Sequence, residues 1–137
     1  MRYTHFHMPF FQDISIPIWI GYSIRGNTHK GRYVTMKLVN SEQFNEEIKT
    51  GITVAKFFAT WCGPCKMQTP IVEQIEAEMK EKANFIEIDI DQSPDVTKAY
   101  EIMGVPTIII FKNGQKVDQI VGFMPKEPLQ ARITAQL

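Results

Sequence analysis

Phe58-Ala59-Thr60-Trp61-Cys62-Gly63-Pro64-Cys65-Lys66 changes character in its middle. Upstream, Ile52 to Ala59 is an apolar run bounded by turn signals, the pattern of a buried strand. Downstream, Pro64 suits the first turn of a helix. The pattern predicts that this helix runs to about Lys82, with Met67, Ile71, Val72, Ile75 and Met79 as its buried stripe. Pro70 lies inside it and predicts a kink. Two cysteines therefore stand at a strand-to-helix junction.

Working outward, residues 36–39 read as a short strand. Asn40 caps a helix over about 41–49, with Gln43 three residues on and Gly51 as the stop. Phe85 to Ile90 is a strand with Ile86, Ile88 and Ile90 on one face. Pro94 to Ile102 is a short helix. Thr107 to Lys112 and Lys116 to Val121 are strands joined by the hairpin signal Asn113-Gly114. Pro125 onward is a closing helix. The order is β-α-β-α-β-α-β-β-α. Helices between strands demand crossovers and parallel pairing, and the last hairpin adds antiparallel strands. The fold class is α/β.

The 137 residues fit one domain, with 44% hydrophobic and 22% charged residues and a net charge of zero. Charge is distributed unevenly. Residues 1–35 hold four basic residues, one acid and all three histidines, leaving 11 Lys/Arg against 14 Asp/Glu in residues 36–137. That net of −3 speaks against nucleic acid as a partner for the main body. Residues 1–35 also hold 7 of the 15 aromatics without a helical period. Their apolar run, interrupted by Pro17 and Gly21, is far short of the ~20 residues of a membrane-spanning helix. No small-residue cleavage site follows, against a signal peptide. The segment reads as a poorly ordered extension or as sequence upstream of a start at Met36, and the second reading is favoured. The domain boundaries are then 1–35 for the extension and 36–137 for the folded domain.

Cys62 and Cys65 are the only cysteines. At a helix N-terminus, partial positive charge and free N–H groups favour thiolate over thiol. Cys62 is expected to have a lowered pKa, within the ~3.5–7.5 range of such sites. Cys65, one turn on and more buried, is close enough to bond it. Cys62 would then attack a substrate disulfide, and Cys65 would resolve the mixed disulfide. Two alternatives compete. Zinc needs about four ligands, and only two are at hand, so no metal is expected. A purely structural disulfide of so small a loop would add little stability.

Over about 36–137 the sequence resembles the thioredoxin family. The resemblance rests on Phe58 to Lys66 with Pro70, Asp89-Ile90-Asp91, Gly104-Val105-Pro106-Thr107, Phe111-Lys112-Asn113-Gly114 and Val121-Gly122. It implies a thioredoxin fold, a central mixed sheet flanked by helices. It implies a cis Val105–Pro106 bond that sets Pro106 against the cysteines. The Val105 backbone would pair with substrate backbone, and Trp61, Gly63, Pro64, Val105, Pro106 and Gly122 would line an apolar groove. The Gly63-Pro64 pair is that of reductants rather than oxidants. The function implied is that of a cytoplasmic, monomeric protein-disulfide reductase without bound cofactor. A thioredoxin reductase would recharge it with electrons from NADPH, and its substrates would be disulfide-containing proteins. Two other readings of the fold are a membrane-tethered or exported reductase, anchored by residues 1–35, and a non-catalytic interaction module.

The chain departs from the family in three places. The family's buried aspartate, six residues before the first cysteine, is here Lys56. The family's lysine on the adjacent strand is here Glu87. An isolated charge in an apolar strand is costly, whereas a pair survives. Lys56 and Glu87 are therefore expected to pair behind the cysteines, with their atoms less than about 6 Å apart. Glu87, desolvated there, would have a raised pKa and act as base for Cys65. The third departure is Phe58, where the family commonly has tryptophan. It is expected to matter only for packing.

Overall fold

The computed structural model describes residues 36–137. The two readings of residues 1–35 lie outside the described residues. The described chain runs β1 (Lys37–Leu38), α1 (Ser41–Glu47), β2 (Ile52–Phe58), α2 (Gly63–Met79), β3 (Asn84–Asp89), α3 (Pro94–Ala99), β4 (Thr107–Lys112), β5 (Gln115–Val121) and α4 (Lys126–Thr134). This is the order expected from the sequence. The strands form one mixed sheet in the order β1-β3-β2-β4-β5. β1 and β2 lie parallel to β3, while β4 runs antiparallel to both β2 and β5.

Local chemistry sets the element ends. Asn40 accepts from the Gln43 amide while the Gln43 side chain accepts from the Asn40 amide, closing the expected capping box. Asn113 and Gly114 have φ of 51° and 87°, as a two-residue hairpin with primed geometry requires. Gly51, beyond the end of α1, also has positive φ, and its N–H donates to the Asn113 side chain.

Alternation along the strands sorts side chains onto two faces. Ile52 and Val54 of β2, Phe85 of β3, and Ile108 and Ile110 of β4 pack with Val72, Ile75 and Met79 of α2 and with Leu129 and Ile133 of α4. Ala55 and Phe57, Ile86 and Ile88, and Ile109 and Phe111 face the other way. There they meet Phe44 and Ile48 of the α1 region and Val96, Tyr100 and Ile102 of the α3 region. By the same period, Lys56 and Glu87 belong to the face that carries α2.

The expected stripe of α2 needs one correction. Its buried residues are Cys65, Gln68, Val72, Ile75 and Met79, whereas Met67 is 63% exposed. Counting back from Val72 by four and then three reaches Gln68 and Cys65, so helical geometry selects a glutamine that composition passes over. The helix continues through Pro70.

Candidate active site

Cys62 ends the link from β2 and is the N-cap of α2, with extended backbone at φ −89° and ψ 112°. Its Sγ accepts the Cys65 N–H at 3.2 Å, satisfying one of the free amides at the head of the helix. Cys62 and Cys65 are joined as a disulfide, with their Cα atoms 5.3 Å apart.

Cys65 is the more buried of the two, as expected, but only slightly, because both are buried in this oxidised state. Their exposures are 4% and 2%. What separates the two sulfurs is the backbone. Cys62 caps the helix, whereas Cys65 lies inside it, within the buried stripe.

Val105–Pro106 is a cis peptide bond, as the resemblance implies. Pro106 is buried, and the Val105 carbonyl oxygen lies 3.6 Å from Cys62 Sγ. Gly122, with φ of 87°, donates its N–H to the Pro106 carbonyl at 2.8 Å. Val105 packs on the small cluster of Ala59, Cys62 and Cys65. Trp61 is 68% exposed, and Gly63 and Pro64 are exposed beside it. The Trp61 indole N–H donates to Asp91 at 3.0 Å, and the Asp91 amide in turn donates to Asp89. Asp91 belongs to the Asp89-Ile90-Asp91 motif, but the sequence reading gave it no task. The indole N–H needing an acceptor was the signal available.

Behind the cysteines, Lys56 and Glu87 stand directly opposite in the β2–β3 register. Their ion pair measures 3.1 Å, inside the expected limit. Lys56 is 1% exposed and Glu87 23%, so the pair is buried at one end only. The Lys56 ammonium also donates to the Thr69 hydroxyl, which donates to the Cys65 carbonyl at 2.9 Å. Thr69 thus links the pair to Cys65. Its spacing, four residues after Cys65, is that of a side chain bonding back to the previous turn. The effect of Phe58 is structural, as expected, with its ring centroid 5.3 Å from Lys56 Nζ. Lys66 is exposed, as expected of a solvated side chain.

A second carboxylate, Glu76 of α2, stands near this pair. One of its oxygens is buried without a hydrogen-bond partner. Burial pushes its pKa above the ordinary value of 4.5, and the charges of Glu73 and Glu87 add to the effect. Among the described residues, no group of three or more His, Cys, Asp and Glu side chains could hold a metal ion. Among the same residues, no helix is long and apolar enough to cross a membrane.

The thioredoxin family model matches residues 35–135. A thioredoxin of Staphylococcus aureus is 44% identical over 91 residues, covering 66% of this chain and 88% of its own. The solved thioredoxin of Malassezia sympodialis is 36% identical with a TM-score of 0.67, covering 74% of this chain and 90% of its own. A mutant thioredoxin from Halobacterium salinarum is 28% identical with a TM-score of 0.67, covering 72% of this chain and 89% of its own.

Proposed function

Because the chain belongs to the thioredoxin family, we propose the following division of labour among its own residues. The activity is protein-disulfide reduction by thiol–disulfide exchange. The Cys62 thiolate attacks one sulfur of a substrate disulfide. A Cys62–substrate bond forms, the substrate S–S bond breaks, and one substrate thiolate leaves. Cys65, deprotonated, then attacks Cys62 Sγ. The Cys62–Cys65 bond forms, and the second substrate thiolate leaves. Two electrons pass to the substrate, whose sulfurs take up two protons.

Trp61, Gly63, Pro64, Val105, Pro106 and Gly122 line the substrate groove. The buried Pro106, beside Cys62, has no N–H to compete for the sulfur. Glu87 receives the Cys65 proton, directly or through water, while Lys56 holds the carboxylate in place. Thr69 ties that ammonium to the Cys65 carbonyl. A thioredoxin reductase returns the electrons from NADPH, and residues 36–137 act as a monomer in the cytoplasm.

The observation that carries this reading is the Cys62–Cys65 disulfide at the head of α2. The test is reduction of insulin with NADPH, with and without thioredoxin reductase. Turnover that depends on the reductase and vanishes in Cys62→Ser is the expected result. Cys65→Ser should accumulate a mixed disulfide visible by mass spectrometry. Persistence of turnover in Cys62→Ser would overturn the assignment.

A further inference from the structure

Gln68 is a polar side chain at 0% exposure, one turn after Cys65 on the buried stripe of α2. An apolar residue would fill that place without the cost of burying an amide. Both ends of the amide bond to one remote residue, Met124. Gln68 Nε2 donates to the Met124 carbonyl at 3.1 Å, and the Met124 N–H donates to Gln68 Oε1 at 2.8 Å. Met124 lies between β5 and α4. Gln68 thus supplies the donor and acceptor that a neighbouring strand would otherwise give.

The same segment is fastened at its other end. Gly122 donates to the Pro106 carbonyl at 2.8 Å. Between the two fastenings stands Phe123, a large apolar side chain 43% exposed, with Val121 at 68% just before. Residues 121–124 therefore offer apolar surface beside the cis proline while their backbone is held to the helix that carries both cysteines.

We propose that Gln68 is a positioning residue for protein substrates, holding residues 122–124 as a fixed wall of the groove beside Cys62. This rests on the groove reading given above. Gln68 touches neither reacting sulfur through its amide. Its removal should therefore weaken capture of a bulky substrate and spare the chemistry with a small one. Misplacement of a positioning element by about 1 Å can cost as much as ~10²-fold.

The experiment compares the reduced chain as wild type, Gln68→Met and Trp61→Ala. Rate constants are measured with insulin and with bis(2-hydroxyethyl) disulfide, which is too small to need the wall. For Gln68→Met the expected result is a loss of about tenfold or more with insulin, appearing in KM, and less than about twofold with the small disulfide. Equal losses on both substrates, or none on either, would overturn the proposal while Trp61→Ala still loses activity on insulin. If neither variant loses activity on insulin, the groove reading fails and the proposal fails with it. Gln68→Glu keeps an acceptor for the Met124 N–H and serves if the methionine variant does not fold. The same substrate split, with a smaller loss, is expected of it, and a uniform loss would overturn the proposal.

Discussion

Lys56 is a charged residue buried in the middle of β2. It is 1% exposed, and its partners are Glu87, Thr69 and the Phe58 ring. Removing one member of such a pair strands the other. Glu87→Gln should cost on the order of 3 kcal/mol in urea denaturation, whereas Lys56→Met combined with Glu87→Leu should restore stability. In stopped flow, Glu87→Gln should slow release by Cys65 more than attack by Cys62. Equal slowing would remove Glu87 from the role of base. Glu76 gives a second prediction with a defined sign. Its pKa is raised in the fold, so folding is disfavoured as pH rises from 4.5 through the raised value. Glu76→Gln should therefore stabilise the chain at pH 7, and the gain should vanish at pH 3; a gain equal at both pH values would refute it. The pairing of Lys56 with Glu87 was legible only through the family resemblance, which sets these two positions on adjacent strands and so showed both charges to be inverted together. Thr69 and Gln68 were not, because what fixes them is the Cys65 carbonyl in one case and the Met124 backbone in the other, and no residue pattern displays either.

At the level of the elements, boundaries followed from caps and turns that sequence carries openly. Asn40 with Gln43, Pro64 and Asn113-Gly114 each dictate backbone geometry through their own side chains or lack of one. Asn40→Ala should remove the cap of α1 and cost about 1 kcal/mol, read as a lowered urea midpoint with an unchanged slope. The buried face of α2 was read less well, since apolarity suggested Met67 where helical period required Gln68. The tie between β5 and α4 was not legible either. Arg132 forms an ion pair with Asp118, and this hydrogen-bonded guanidinium holds the Asp118 carboxyl below its ordinary value of 3.8. A depressed folded-state pKa gives stability that is present above the unfolded value. It is lost as pH falls through the folded one. Asp118→Asn should therefore lower stability at pH 6 and match the parent near pH 2. A constant difference across that range would show that the carboxylate charge is not the cause.

For the molecule as a whole, strand order was the least legible feature. Periodicity shows that a strand is buried without naming its neighbour, so the placement of β3 between β1 and β2 emerged only in three dimensions. Met36 is 5% exposed and belongs to the core cluster shared with α2 and α4. A chain shortened to begin at Met36 should keep the melting temperature and insulin-reducing rate of the full chain. A loss of either would assign residues 1–35 a part in the fold or the reaction. The sheet also divides the interior into two separate cores, and only one of them carries the active-site helix. On the far side, Phe44, Phe57, Tyr100 and Phe111 stack in tilted and edge-on contacts. Substitutions on opposite sides of the sheet should therefore combine independently. An engineer repacking the aromatic hemisphere should leave the electron traffic of the cysteines unchanged as long as Ile90, which packs on both the aromatic core and the cysteine cluster, keeps its place.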